Sequence, residues 1–266
     1  MLRIGLTAPG SVARAMEARE KAAAHLKCRG VLVLDEAAFE RERPDALVAL
    51  GGDGTMLRCA RRAALLDVPM LGINLGTVGF LAEAEADGLD RALDRLLQGQ
   101  YTEERRAMLA VHFREERFLA MNDAVISRGD YPRLIRVTAS VDGGWAGDYR
   151  ADGLLVATPT GSTGYSLSAG GPIIAPMVDC MLITPICPHS LQHRPQVIPG
   201  SSRVTMTLDA LERMEASLQI DGRHCAQLCQ GDSVHVVKAP EQVRLIRMRE
   251  ESFFVVVHQK LTEWSR

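Results

Sequence analysis

An unbroken apolar run, Ala46-Leu47-Val48-Ala49-Leu50, passes without a spacer into Gly51-Gly52-Asp53-Gly54-Thr55, and from Met56 the chain reads as a helix. A buried strand that turns through glycines into a helix commits the surrounding chain to a layered β/α arrangement. Glycine lets the backbone approach a ligand closely without a Cβ penalty. The N–H groups at the start of the following helix attract anions. Asp53 lies in the middle of this turn. Its carboxylate would repel a phosphate, so it suits other work: taking a proton from a hydroxyl, or holding a metal ion. The plainer reading is a tight strand-to-helix turn with Asp53 as the helix cap.

The neighbouring sequence extends the β/α pattern. Residues 2–7 form a short apolar strand, and Ser11 can cap a helix through about Lys27. Val31-Leu32-Val33-Leu34 reads as a strand of a parallel sheet covered on both faces. Strand 46–50, a helix from about Gly54 to Leu66, strand 69–73 and a helix near 88–98 follow. This is a doubly wound α/β domain over residues 1–101. After Tyr101 strand-like runs succeed one another at 108–113, 117–127, 134–141, 153–158, 203–209, 216–220 and 234–238, with Asp142-Gly143-Gly144, Asp221-Gly222 and Gly231-Asp232 as turns. A second, β-rich domain is expected over 102–244. In the tail 245–266, Leu245 to Met248 suits a strand. Phe253, Val257, Leu261 and Trp264 recur at helical spacing, although Val255-Val256-Val257 opposes a helix on propensity. Such a tail can return to complete the first domain.

The balance of charge narrows the function classes. Across 266 residues the formal net charge is −2, with no long basic block, so the electrostatic footprint of a nucleic-acid binder is missing. No apolar run reaches bilayer length, and Met1 to Leu6 reads as a first strand, not a secretory signal. A cytoplasmic protein without membrane or nucleic-acid partners is expected. Cys225, Cys229 and His224 lack a second ligand pair with zinc-type spacing. No Walker-type loop and no G-x-G-x-x-G occurs.

Three further segments carry chemistry. A second glycine-rich stretch, Gly72 to Leu81, lies one β/α unit after the first. Loops at the carboxyl ends of strands form the binding crevice of open α/β sheets. Asn122-Asp123 interrupts an apolar stretch in the β domain, and two polar residues buried in a strand need partners; the other reading is a bulge or turn. Asn74 and Asn122 are the only asparagines in the chain. The longest segment runs from Tyr149-Arg150-Ala151-Asp152-Gly153 through strand 154–157 to Thr158-Pro159-Thr160-Gly161-Ser162-Thr163-Gly164-Tyr165-Ser166-Leu167-Ser168-Ala169-Gly170-Gly171-Pro172. Hydroxyls and exposed backbone there can read a base edge and ribose hydroxyls, and Tyr165 can lie against a ring. Ile183 to Ser190 and Ile220-Asp221-Gly222-Arg223 are weaker candidates for a pocket wall, or plain turns.

These segments, in this order, resemble the NAD kinase family. Gly51 to Thr55 is shared with lipid kinases and more loosely with phosphofructokinases; Asp152 to Gly171 is more specific. The resemblance implies an N-terminal α/β domain closed by the tail 245–266 and a β-sandwich-like, NAD-binding second domain. It implies Mg²⁺, held mainly through substrate phosphates, a nucleoside triphosphate or polyphosphate donor, and a homotetramer. Asp53 resembles the catalytic carboxylate beside the adenosine 2′-hydroxyl, and Gly51, Gly52 and Gly54 the loop that meets phosphates. Asn122 and Asp123 match the pair holding ribose hydroxyls and adenine. Thr160, Thr163, Gly164 and Tyr165 match the adenine wall, Ser168 its continuation, and Phe80 and Leu81 the wall near the ribose. Asp152 matches a carboxylate near the nicotinamide end, and Arg150 and Asp221 join the binding set. The family usually carries Asn-Glu where this chain has Asn122-Asp123, and often alanine where it has Gly164. The alternatives are a lipid or sugar kinase sharing only Gly51 to Thr55, and a non-catalytic dinucleotide sensor.

Overall fold

The computed structural model describes residues 1–266 except 77–79, 130–132, 191, 210–215, 249–251 and 265–266. The chain divides into two compact units, Met1–Arg105 with Glu241–Arg266, and Arg106–Pro240.

The first unit opens with β1 (Arg3–Thr7), α1 (Ala13–Lys27), β2 (Leu32–Leu34), β3 (Ala46–Gly51), α2 (Asp53–Leu66) and β4 (Pro69–Asn74). These strands pair in parallel in the order β2-β1-β3-β4. The short β5 (Ala84–Glu85) pairs with the end of β4 and leads to α3 (Leu89–Leu97). Every residue of β3 and β4 is buried, because helices cover both faces. Val48, Leu50, Leu71 and Ile73 pack with Leu26 of α1 and Leu89 and Leu93 of α3. Strand side chains alternate between faces, and α2 runs along the opposite side of β3 and β4. The chain steps from β1 to β2 on one side, then returns to place β3 on the other side of β1. The order of strands therefore reverses between β1 and β3, and the turn after Gly51 lies at the carboxyl end of that switch point.

Two local expectations change. The apolar run at 31–34 forms an edge strand with Leu32 exposed, since hydrophobicity alone does not place a strand within a sheet. Helix α1 begins after Val12, with no side-chain cap, so Ser11 does not cap it.

The long β6 (Thr102–Phe113) enters the second unit. There follow β7 (Glu116–Ala120), β8 (Asp123–Ser127), β9 (Ile135–Val141), β10 (Gly144–Ala151), β11 (Gly153–Ala157), a 3-10 turn at Gly161–Thr163, the short α4 (Tyr165–Ser168), β12 (Cys180–Ile186), β13 (Gln196–Pro199), β14 (Val204–Leu208), β15 (Ala216–Ile220), β16 (Arg223–Leu228) and β17 (Ser233–Arg247). Antiparallel pairing gives two layers, β10-β9-β14-β17 and β13-β12-β11-β8-β15-β16. They share one core, with Val137, Tyr149, Met206 and Val236 from one sheet and Ile126, Val156, Ile183 and Leu218 from the other. This is a β-sandwich. Its second sheet is also covered outside, where Val125, Leu155 and Leu182 pack with Ala169 and Ile174. That double burial explains the continuous apolar run at 154–157. The expected strand at 117–127 is broken at Met121–Asn122 into β7 and β8.

The runs at 234–238 and 245–248 belong together as β17. Its end, Arg244–Leu245, pairs in parallel with β4. The buried Glu83 carboxylate accepts from Arg247 Nη1 at 3.1 Å and from the Met248 N–H at 2.7 Å. α5 (Phe253–Trp264) then closes the first unit with Val257 and Lys260 buried. Packing overrides the unfavourable valine propensity. Leu71→Ala, at 0 % exposure in β4, should lower stability by about 2–5 kcal/mol in urea unfolding. Leu65→Ala, 66 % exposed on α2, should change it by no more than about 0.5 kcal/mol.

Candidate active site

β3 ends where its chain must turn. A Cβ on Gly51 would lie 2.6 Å from Thr55 Oγ1, so only glycine fits beside that buried threonine. Gly52 is the N-cap, and the Thr55 and Met56 N–H groups donate to its carbonyl at 3.0 and 3.1 Å. Asp53 is the first helical residue, not the cap, so its carboxylate is not spent on capping. Cβ positions on Gly52 and Gly54 meet nothing within 4 Å. Protein packing gives no reason for glycine there; open backbone at a helix start does, because it lets an anionic ligand approach.

Asp53 is open to solvent. Even so, the protein around its carboxyl removes enough hydration to push its pKa above the ordinary aspartate value, while the Lys260 ammonium opposes that rise. Lys260 comes from α5, is 2 % exposed, and places Nζ 4.6 Å from the centroid of the Phe80 ring. Phe80 and Asp53 therefore share a cationic neighbour. Gly51 stands opposite Asn74 in the β3–β4 register, so the two glycine segments are adjacent. Asn74 Nδ2 donates to the Gly76 carbonyl at 2.7 Å and fixes the start of the second segment. Leu81 is buried, with its carbonyl against Gly72. Thr77, Val78 and Gly79 lie outside the described residues.

In the second unit, the break between β7 and β8 meets the hydroxyl-rich segment. Thr158 Oγ1 donates to the Met121 carbonyl at 2.6 Å, and the Thr158 N–H to the Asn122 carbonyl at 2.9 Å. A Cβ on Gly161 would lie 2.1 Å from the Asn122 carbonyl oxygen, and one on Gly164 would lie 3.4 Å from Asn122 Nδ2. Asn122 thus packs under this glycine turn. Thr160 and Thr163 are buried: Thr163 Oγ1 donates to the Thr160 carbonyl at 3.1 Å, and Thr160 Oγ1 accepts from Arg106 at 3.2 Å. These hydroxyls shape the loop. Tyr165 and Ser168 are exposed on α4. Asp123 is 4 % exposed, and burial, with the Asp221 charge adding to it, pushes its carboxyl up to about 7. Burial, then the neighbouring Cys187, Asp152 and Asp123, raises the Tyr165 phenol. Asp123 and Asp152 therefore both lie within electrostatic reach of the Tyr165 phenol. Asp152 accepts from Arg128 Nε at 2.6 Å. Arg150 is exposed on β10 opposite Arg136 of β9.

Residues 10–101 match the family described as ATP-NAD kinase N-terminal domain, and residues 121–248 the ATP-NAD kinase C-terminal domain. A protein of Moorella thermoacetica named NAD kinase is 41 % identical, over 99 % of this chain and 90 % of its own. The chain belongs to the NAD kinase family. It is accordingly a kinase. An NAD kinase of Heliobacterium modesticaldum is 44 % identical over 82 % of this chain and 79 % of its own. Among solved structures, yeast NADH kinase complexed with NADH has a TM-score of 0.85 at 27 % identity, over 99 % of this chain and 88 % of that one. An NAD kinase from Archaeoglobus fulgidus in complex with ATP has a TM-score of 0.79 at 25 % identity, over 98 % of each chain. Similarity along nearly the whole chain disfavours a lipid or sugar kinase sharing only the 51–55 loop, and relatives named as kinases disfavour a sensor.

Sequence reading missed Lys260, Arg106 and Arg128. Lys260 follows Val257 by one helical turn, so it shares the buried stripe of α5; Arg106 alternates with the buried Met108 and Ala110 on one face of β6. Those periodicities were the available signals. Lys260→Met should raise the Asp53 pKa further, since the ammonium now lowers it. A base must be ionised to accept a proton, so the acid limb of the kcat/KM–pH profile should move to higher pH. An unmoved limb in initial-rate measurements would show that Lys260 does not act on the base.

Proposed function

We propose that the protein transfers the γ-phosphoryl group of ATP to the 2′-hydroxyl of the adenosine ribose of NAD, giving NADP and ADP. The observation that carries this reading is Asp53: an accessible carboxylate of raised pKa at the first turn of α2, flanked by glycines whose Cβ positions are open. The hydroxyl oxygen forms a bond to the γ-phosphorus as the bond to the ADP oxygen breaks. The hydroxyl proton passes to the Asp53 carboxylate. General-base help of this kind is worth about 10²–10⁴-fold, and the remainder of phosphoryl transfer is positioning and charge neutralisation. Gly51, Gly52 and Gly54 with the α2 N-terminus receive phosphates. Asn122 and Asp123 hold the adenosine ribose and base, with Thr160, Thr163, Gly164, Tyr165 and Ser168 as the adenine wall. Phe80 and Leu81 lie at the ribose, and Asp152 with Arg150 toward the nicotinamide end. The solved relatives with NADH and with ATP support nucleotide substrates.

Among the described residues no three metal-type side chains cluster. The divalent cation, read as Mg²⁺, is assigned to the substrate phosphates, whose charge it offsets. Inorganic polyphosphate is a second possible donor. The enzyme is read as a cytoplasmic homotetramer; no helix among the described residues is long and apolar enough to cross a membrane, and exposed Met177, Val178 and Val197 offer apolar surface for self-association.

With NAD, ATP and Mg²⁺, NADP should form in an assay coupled to an NADP-specific dehydrogenase, and EDTA should abolish it. Asp53→Asn should lower turnover by at least ~10²-fold while NAD still binds by calorimetry. Near-normal turnover in that variant would overturn the base assignment.

A further inference from the structure

Asp221 and Gly222 form the two-residue turn between β15 and β16, both with positive φ (49° and 73°). This is the geometry of a tight hairpin, and Asn-Gly serves it as well as Asp-Gly. The turn alone gives no reason for a carboxylate. What the carboxylate holds lies about a hundred residues earlier. Asp221 Oδ1 accepts from the Asn122 N–H at 2.8 Å and the Asp123 N–H at 3.3 Å, and Oδ2 from the Met121 N–H at 3.1 Å. The Asp221 N–H donates in turn to the Asp123 carbonyl at 3.0 Å. These amides sit where the chain breaks between β7 and β8. On the acceptor side, Thr158 takes the Met121 and Asn122 carbonyls. Residues 121–123 are thus gripped on their donors by Asp221 and on their acceptors by Thr158.

We propose that Asp221 is a positioning residue for the dinucleotide: its carboxylate, spent on backbone amides, fixes the 121–123 turn so that Asn122 and Asp123 meet the adenosine in one orientation. This rests on reading Asn122 and Asp123 as adenosine-binding groups. Asp123 is buried and Asp221 is half-buried beside its backbone. The Asp221 carboxylate accepts from backbone donors, and its charge adds to the rise that burial gives the Asp123 carboxyl. The groups facing Asp123 are therefore Asp221, from the β15–β16 turn, and the Tyr165 phenol, from α4, which is raised and stays neutral near pH 7.

The test is Asp221→Asn, which keeps the favoured turn and removes the charge. Affinities for NAD and for 5′-AMP are measured by calorimetry across pH in variant and parent. Charge-assisted bonds to the amides are strong enough that both affinities should fall about tenfold. KM for NAD should rise more than kcat falls. In the parent, affinity should change through about pH 7 as Asp123 titrates; with the Asp221 charge gone, that inflection should move to lower pH. A merely structural loss would not move the inflection. In the parent protein, the Met121, Asn122 and Asp123 amides should also exchange with deuterium as slowly as those of β8, a readout that needs no variant. Unchanged affinities with an unmoved inflection, a loss confined to NAD with 5′-AMP unaffected, or rapid exchange of those amides would each overturn the proposal. A parent protein that binds neither NAD nor 5′-AMP, with its 121–123 amides still protected, would instead overturn the adenosine-site reading on which the proposal rests.

Discussion

The turn that ends β3 is tight enough to bring Thr55 back into the space a side chain on Gly51 would need. The chain turns at once, α2 begins, and its first residue is Asp53. The parallel pairing of β3 with β1 and β4 puts this turn at the carboxyl edge where strand order reverses, and brings Asn74 beside it. A helix start with open glycine backbone favours anions. A carboxylate as its first residue is tolerable because the same end of the helix favours negative charge. On the proposed reading, one tight turn supplies both a place for phosphates and a proton acceptor.

Within each unit, the carboxylates assigned to the site are compensated differently for the water they lose. Asp53 loses part of its hydration and has Lys260 to counter the effect. Asp123 is almost fully buried and gains a second negative neighbour, which brings it to about 7. Asp221 is compensated by backbone N–H donors. Asp152 is compensated by Arg128. The Asp123 carboxyl is raised chiefly because it is buried, with the Asp221 charge adding to it, and strongly perturbed carboxyls are a mark of functional sites.

Much of this was legible in the sequence. The apolar run into glycines marked β3 and α2, because a buried strand and a helix start each leave a local signature. The Asp-Gly turn at 221–222 was legible for the same reason. The grip of Asp221 on residues 121–123 was not, since a contact so distant in sequence leaves no periodic trace. β12 was hidden by Pro185, yet that residue pairs with Leu154 in register and Thr184 beside it is buried against Ser166. β16 was hidden by its polar, half-exposed face. The internal hydrogen bonds of the Thr160 and Thr163 hydroxyls, which frame the loop, were not legible, because residue type alone does not name a partner.

The most direct measurement uses an NAD analogue lacking only the 2′-hydroxyl of the adenosine ribose. The analogue should bind with affinity close to that of NAD and inhibit competitively, because the groups assigned to adenine and the remaining ribose are untouched. With ATP and Mg²⁺ it should yield no phosphomonoester by ³¹P NMR, while NAD under the same conditions yields one. Phosphorylation of the deoxy analogue would place the reacting hydroxyl elsewhere and contradict the role assigned to Asp53.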